Sequence, residues 1–136
     1  MMNRRIFLAS TLLMTLSPAA WAAETLNYSP GLIQKALGQG KTVFVDYAAS
    51  WCSTCARQER VISALRAEDP SYDKAMIFVR VDWDDFKQHE VTRSRNIPRR
   101  STLLVLQGDD ELGRIVAGTR KSDIKDLMDK GVKAGS

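Results

Sequence analysis

The chain has 136 residues, of which 44% are hydrophobic and 26% are charged. This balance predicts one ordinary globular domain and argues against a disordered chain or a membrane bundle. The formal net charge is +4, and two of those positive charges lie in an amino-terminal segment that we expect to be removed. Because the remaining excess of basic residues is small and is mixed with acidic ones, the sequence does not predict nucleic-acid binding.

Residues 1–22 have the pattern of an export signal. Two adjacent arginines precede an apolar stretch over residues 6–16, and small residues surround Ala22. The stretch is about half of the ~20 apolar residues that a spanning helix needs. We therefore expect a signal peptide that is cleaved after Ala22, leaving a mature domain over residues 23–136 in the periplasm, where disulfides persist.

Two alternatives exist for this segment. Residues 3–8 also resemble a twin-arginine signal, which would export the domain already folded. An uncleaved amino-terminal anchor is the other alternative, and the Ala-rich end of the segment argues against it. Each route places the domain outside the cytoplasm.

The predicted elements begin with a helix over residues 30–38, where a Ser-Pro pair is typical of a helix start and a glycine ends the apolar pattern. An apolar run then predicts a strand over residues 42–48. Because the run is nearly continuous, this strand should be covered on both faces, as in the middle of a sheet. A helix over residues 53–67 and a strand over residues 75–81 follow.

The second half of the chain predicts a polar helix over residues 84–95, a β-hairpin and a last helix. The hairpin joins strands over residues 102–106 and 111–117 through a turn at residues 108–110. Apolar residues at core spacing predict the last helix over residues 122–130. This order of elements predicts an α/β fold with a central mixed sheet flanked by helices on both faces, and no domain boundary interrupts it.

The only two cysteines, Cys52 and Cys55, fall where the predicted central strand meets the next helix. Free backbone N–H groups and the positive end of the helix dipole at this place favour the thiolate form of Cys52. A thiolate attacks disulfides, and Cys55, one helical turn further on, can then attack Cys52 and release the reduced partner. We expect Trp51 to pack beside the pair and keep one side of it dry.

Two plainer interpretations of the cysteine pair are a zinc site and a structural disulfide. Zinc usually takes four ligands, and the chain offers no further cysteine and only His89, far along the sequence. A structural disulfide is the stronger alternative in an exported protein. However, closing so short a loop gives little entropic stabilisation and leaves the position at a helix start unexplained.

The segment VDYAASWCSTC, residues 45–55, resembles the active-site segment of the thioredoxin superfamily. The resemblance extends from about residue 31 to residue 132, because residues 101–105 are similar to the family's next strand and Gly108 falls in its hairpin turn. It implies a thioredoxin-like fold and a thiol–disulfide oxidoreductase that uses no cofactor and no metal. Cys52 would be the nucleophile and Cys55 the resolving thiol.

Asp46 lies inside the apolar strand, where desolvation should raise the pKa of its carboxyl group. A carboxyl group that titrates near neutral pH is a useful base. The resemblance matches Asp46 to the family's buried aspartate, which exchanges a proton with the resolving thiol through water. The alternative is a solvated aspartate at a frayed strand end.

The chain departs from the family where a cis-proline normally faces the cysteines. Direct alignment puts Ser101 there, and the nearest proline, Pro98, comes three residues earlier. A cis bond before serine costs about 2.5–4 kcal/mol, so a trans Arg100–Ser101 bond is expected. We favour Ser101 as the substrate-facing residue over Pro98 in a longer loop. Arg100 beside it would favour an acidic partner, unless Arg99 and Arg100 are only solvated loop charges.

The sequence thus predicts a periplasmic oxidoreductase, acting as a monomer, that reduces disulfides in proteins or small molecules. The residues between the cysteines, Ser53 and Thr54, lack the histidine of the family's strongly oxidising members, which favours a reductase over an oxidase. Such a reductase would need a membrane-embedded electron donor. The alternative from another class is a non-catalytic binding or chaperone-like module that keeps the disulfide for stability.

Overall fold

A computed structural model of the chain describes residues 24–136, so the predicted signal segment, residues 1–22, lies outside the described residues. Five strands form one sheet, in the order β1-β3-β2-β4-β5. They are β1 (Leu26–Asn27), β2 (Thr42–Ala48), β3 (Met76–Asp82), β4 (Thr102–Gln107) and β5 (Asp110–Val116). The helices are α1 (Leu32–Gly38), α2 (Ser53–Glu68), α3 (Ser71–Ala75), α4 (Trp83–Phe86), α5 (Glu90–Arg93) and α6 (Lys121–Gly135).

The sheet is mixed, as predicted. Strands β1, β3 and β2 run parallel, whereas β4 is antiparallel to β2 and β5 is antiparallel to β4. Every residue of the central strand β2 is buried, which agrees with its continuous apolar run. The predicted α/β fold with a central mixed sheet flanked by helices is confirmed.

The alternation of β2 side chains divides the core into two layers. Val43, Val45 and Tyr47 belong to the cluster that contains residues of α1 and α5. Phe44 belongs to the cluster that contains residues of α2, α3 and α6. Because successive side chains of a strand point to opposite faces, Asp46 lies on the same face as Phe44, the face that α2 covers.

Helix α6 continues to Gly135, beyond its predicted end at residue 130, because Gly131 and Val132 still pack against the core. Three further elements differ from the predicted ones. The predicted helix over residues 84–95 is two short helices, α4 and α5, because each has its own cap: Asp82 accepts the Asp85 N–H at 3.1 Å, and His89 Nδ1 accepts the Val91 N–H at 3.1 Å. Strand β1 and helix α3 were not predicted, since they have two and five residues and carry no periodic apolar pattern.

No helix between residues 24 and 136 is long and apolar enough to cross a membrane.

Candidate active site

The two cysteines lie at the amino-terminal end of α2 and are joined by a disulfide. Cys52 is the N-cap residue of this helix, and its Sγ accepts the Cys55 backbone N–H at 3.1 Å. Both residues are buried. An anionic Cys52 sulfur would therefore meet a backbone donor and the positive end of a 16-residue helix, which both stabilise negative charge. This arrangement favours a reactive thiolate at Cys52.

Ser101 is the residue that faces both sulfurs. Its Oγ lies 3.2 Å from Cys52 Sγ and 3.1 Å from Cys55 Sγ, and the residue is fully buried. The structure thus has Ser101, and not Pro98, opposite the cysteines. Because Ser101 is fully buried, its side chain is not exposed to a substrate as the sequence predicted. No peptide bond within residues 24–136 is cis.

The backbone of Ser101 is held in an unusual conformation. Its φ is 65°, in the left-handed region that residues other than glycine rarely adopt. Its N–H donates to the Tyr47 carbonyl at 2.7 Å, and its own carbonyl accepts the Ala117 N–H at 2.8 Å. These bonds attach the loop before β4 to the end of β2 and to the end of β5.

Gln58 is a site residue that sequence reasoning missed. It is fully buried on α2, and its Nε2 donates to the Ser101 carbonyl at 3.0 Å and to the Gly118 carbonyl at 2.9 Å. A signal was present, because Gln58 continues the apolar stripe of Cys55, Ile62 and Leu65 at helical spacing. A polar residue on a buried stripe needs hydrogen-bond partners, and here these partners are the loops around the cysteines.

Asp46 is buried on β2, with 8% of its surface exposed. Within the described residues its Oδ1 has no hydrogen-bond partner. Burial raises the pKa of Asp46 to about 7, the nearby positive charge of Arg80 lowers it, and the negative charge of Glu59 adds to the rise. The carboxyl group therefore titrates near neutral pH.

A cavity of about 240 Å³ gives Asp46 a route towards solvent. Asp46, Glu59 and Arg80 all line it, together with apolar residues that include Ile62 and Phe78. Arg80 Nη1 lies 3.4 Å from Glu59 Oε2, so this ion pair borders the cavity. A water molecule occupies roughly 30 Å³ in the liquid, so the cavity has room for several waters that could exchange protons with Asp46.

Trp51 differs from its prediction. The sequence predicts that Trp51 shields the cysteines, whereas in the structure 58% of Trp51 is exposed. The aromatic residue that packs against the cysteine cluster is Trp83. Trp51 instead donates from Nε1 to Asp84 Oδ2 at 2.8 Å, and the Arg100 guanidinium lies 4.6 Å from the centre of its ring. The indole is thus held at the surface beside the active site.

Arg99 and Arg100 are both half-buried, so they are more enclosed than solvated loop charges would be. Arg99 Nε donates to the Arg100 carbonyl at 3.0 Å, and Arg100 Nε is buried with no hydrogen-bond partner in the described part of the chain. The stack on Trp51 is a cation–π contact, which fixes the Arg100 charge next to Ser101.

Among residues 24–136, no three His, Cys, Asp or Glu side chains come together to hold a metal ion.

Comparisons with known proteins agree with this geometry. A family model described as thioredoxin-like matches residues 23–105. The H-type thioredoxin of Oryza sativa subsp. indica is 34% identical over 100 residues, covering 74% of this chain and 76% of the relative. The H-type thioredoxin of Fagopyrum esculentum is 33% identical over 103 residues, covering 76% of this chain and 83% of the relative.

Solved structures show the same likeness. The crystal structure of Trxlp from Edwardsiella tarda superposes with a TM-score of 0.67 at 28% identity, covering 77% of this chain and 98% of that one. The solution structure of oxidised thioredoxin from Plasmodium falciparum gives a TM-score of 0.64 at 25% identity, covering 83% of this chain and all of that one. The chain therefore belongs to the thioredoxin-like family and is a thiol–disulfide oxidoreductase with Cys52 and Cys55 as its cysteine pair.

Proposed function

We propose that this domain is an exported thioredoxin-like reductase that passes two electrons from the Cys52 and Cys55 dithiol to disulfides in the periplasm. The observation that carries the chemistry is the position of Cys52 as the N-cap of α2, where its sulfur accepts a backbone N–H. The periplasmic location is supported by the signal-like pattern of residues 1–22.

The reaction is two successive exchanges. The Cys52 thiolate attacks a substrate disulfide, so that a bond forms between Cys52 Sγ and one substrate sulfur, and the other substrate sulfur leaves as a thiolate and takes a proton from water. Cys55 then loses its proton and attacks Cys52 Sγ. The Cys52–Cys55 disulfide forms and the second substrate thiol is released, so the substrate gains two electrons and two protons.

Asp46 accepts the proton that Cys55 loses. The carboxyl group lies on the sheet face that α2 covers, and a pKa of about 7 lets it take a proton at neutral pH. Waters in the adjoining cavity would then pass the proton from the carboxyl group to solvent, past the ion pair of Glu59 and Arg80. Asp46 is thus the proton-transfer group of the second exchange.

The direction of electron flow is inferred from the residues between the cysteines. Ser53 and Thr54 supply no positive charge that would stabilise the reduced form further. We therefore expect a reduction potential nearer to about −270 mV, which is typical of reductants with this fold, than to about −120 mV, which is typical of oxidants. A reductant outside the cytoplasm needs a supply of electrons, and a membrane-embedded dithiol donor fits that need.

On the surface around the cysteines, Arg100 is the charge that would favour substrates carrying negative charge, and the Asp84 carboxylate on Trp51 opposes it. Trp51 offers an exposed ring, Arg100 holds a positive charge on that ring, and Val116 is exposed at the end of β5 near Ser101. Arg100→Gln should lower kcat/KM for a disulfide peptide flanked by glutamates by about two- to five-fold, the size of an exposed ion pair, and should raise it for a lysine-flanked peptide, because a like charge is removed. Arg93→Gln, on the exposed part of α5, is the control.

Reduction of insulin driven by dithiothreitol tests the proposal. Wild type should turn over, and Cys52→Ser should abolish turnover, because the attacking sulfur is gone. Cys55→Ser should stop the reaction at a mixed disulfide that is visible by mass spectrometry. Equal activity of wild type and Cys52→Ser, or no activity in either, would instead favour a binding module with a structural disulfide.

A further inference from the structure

We infer that the Ser101 hydroxyl is a catalytic hydrogen-bond donor that serves the two sulfurs in turn, first the Cys52 thiolate and then the Cys55 thiolate. The inference rests on the roles proposed above for Cys52 and Cys55. It assigns a chemical role to Ser101, which occupies the position where most of the family has a proline, a residue whose ring has no hydrogen-bond donor.

The geometry places one hydroxyl between two reacting atoms. Ser101 Oγ lies within 3.2 Å of Cys52 Sγ and 3.1 Å of Cys55 Sγ. In the disulfide form both sulfurs can only accept from the hydroxyl. In the reduced protein, where Cys55 is a thiol, a serine hydroxyl with one hydrogen and two lone pairs can donate to Cys52 while it accepts from Cys55. In the described part of the chain its hydrogen-bond partners are these two sulfurs, whereas a merely structural buried hydroxyl usually bonds a backbone carbonyl.

The surroundings keep the hydroxyl in place. Ser101 is fully buried, so water does not compete for its donor. Its N–H is bonded to the Tyr47 carbonyl, and its carbonyl accepts from both the Ala117 N–H and Gln58 Nε2. Together these bonds hold a residue at φ 65°, a conformation that a chain retains only when its surroundings enforce it.

The donor follows the negative charge through the reaction. In the reduced enzyme the Cys52 thiolate accepts the Ser101 O–H, and the Cys55 thiol stays protonated. Once Cys52 is bonded to a substrate sulfur, its negative charge is gone. The hydroxyl then rotates to donate to Cys55 as that thiol gives its proton to Asp46. Cys55 then bonds to Cys52, and the substrate leaves as a thiolate that takes a proton. The hydroxyl keeps its own hydrogen throughout, and a dithiol reductant restores the starting state.

Two substitutions remove the hydroxyl but differ in their effect on the backbone. Ser101→Ala keeps the Cβ atom in the left-handed conformation, whereas Ser101→Gly relieves it. Thr102→Val is the matched control, because it removes the neighbouring buried hydroxyl, which donates to the Arg99 carbonyl at 2.7 Å and not to sulfur. If Ser101→Ala and Ser101→Gly give the same result, that result is due to the lost hydroxyl and not to a change in the backbone.

The first readout is the pH dependence of Cys52 alkylation in the reduced protein, with the modified residue identified by mass spectrometry. A hydrogen bond to a charged group stabilises it enough that both Ser101 variants should raise the pKa of the Cys52 thiol by about 1 to 2, with no change in Thr102→Val. The inference is overturned if the Ser101 variants retain the wild-type value, or if Thr102→Val changes it equally. Should Ser101→Ala fail to fold, Ser101→Gly decides.

The second readout separates the two sulfurs. An aromatic disulfide releases one coloured thiol when Cys52 attacks and a second when Cys55 attacks. At a pH below the pKa of Cys52, both Ser101 variants should slow the first release by about 3- to 10-fold. A higher pKa lowers the fraction of thiolate, and the greater nucleophilicity of that thiolate compensates for only part of the loss. They should slow the second release as well. A second release at the wild-type rate would show that the hydroxyl serves Cys52 alone and would overturn the shared role.

These readouts distinguish the inference from the proposed function. Alkylation is measured without a substrate or an electron donor, so an unchanged pKa in the Ser101 variants would leave the insulin result for Cys52→Ser standing. Conversely, a domain that fails to reduce insulin would still show the change in the pKa of Cys52 if the hydroxyl donates to it.

Discussion

Asp46 on β2 and Arg80 on β3 are direct neighbours in the parallel ladder at the centre of the sheet. Neighbours in a ladder share a face, so the carboxyl group and the guanidinium both lie on the side that α2 covers. Arg80 is also paired with Glu59 on α2 at 3.4 Å. The acid that we propose as the proton acceptor is therefore adjusted by two opposite charges, one on each neighbouring element.

Asp46→Asn should make the protein more stable at neutral pH. Burial raises the pKa of Asp46 from 3.8 to about 7, so the folded state binds a proton that the unfolded state releases between these values. The stability due to this proton is fully present below pH 3.8 and is lost as pH rises towards 7, by up to about 4 kcal/mol. Asparagine does not titrate, so urea unfolding should show a gain for the variant that grows across this window.

The matched control is Asp126→Asn, the same substitution on the exposed face of α6. Its stability difference from wild type should stay constant across the window. Parallel stability curves for wild type and Asp46→Asn would contradict the account of a buried, titrating carboxyl group.

The charges around Asp46 should move its pKa in opposite directions. Arg80→Gln removes a positive charge and should raise the pKa of Asp46 above about 7, whereas Glu59→Gln removes a negative charge and should lower it. A carboxyl carbon titration followed by NMR measures both shifts. Shifts of the same sign in the two variants would mean that the ion pair acts on Asp46 by rearranging the cavity and not by charge.

Ser101→Pro, which restores the residue usual in the family, should destabilise this protein. Proline fixes φ near −65°, whereas Ser101 has φ 65°, and proline has no N–H for the Tyr47 carbonyl that now accepts it at 2.7 Å. The loss of that bond and the mismatch in φ should lower the free energy of unfolding by more than about 1 kcal/mol. Urea unfolding checks the value, with Ser101→Gly as the variant compatible with φ 65°. A proline variant as stable as wild type would show that the loop accepts the family's geometry.

Gln58→Leu should loosen the loops that carry Ser101 and Gly118. The substitution keeps most of the side-chain volume but removes the donor to both carbonyls, which should lower the free energy of unfolding by about 1–3 kcal/mol. Urea unfolding measures it, and Gln34→Leu on the exposed side of α1 should change stability by less than about 0.5 kcal/mol. Equal effects at the two positions would contradict the bridging role of Gln58.

The sequence predicts the elements that local patterns determine. Strand β2 is buried on both faces and therefore has a continuous apolar run, whereas α2 is buried along one stripe and therefore has apolar residues at helical spacing. These two patterns can be told apart in the sequence. The place of Cys52 at the start of α2 follows from these two elements. Strand β1 is different, because two exposed residues carry no pattern and the strand exists only through pairing with β3.

Long-range contacts in the site were not predictable in the same way. Gln58 and Ser101 are 43 residues apart, and nothing local to either residue shows that one donates to the other. The exposure of Trp51 depends on Asp84 in α4 and on Arg100 in the loop before β4, which are distant in sequence. Aligning the family's motif placed Ser101 opposite the cysteines, but the contact of its hydroxyl with both sulfurs required the packed structure.

The pKa of the Cys52 thiol in the reduced wild-type protein tests the central claim most directly. It is measured from the rate of Cys52 alkylation as a function of pH, with Cys55→Ala as a second protein in which Cys52 is the only thiol. The cap position on α2 and the Ser101 hydroxyl predict a pKa below about 7.5. A pKa at or above the ordinary value of about 8.5, or a Cys52 that resists alkylation at neutral pH, would contradict the account.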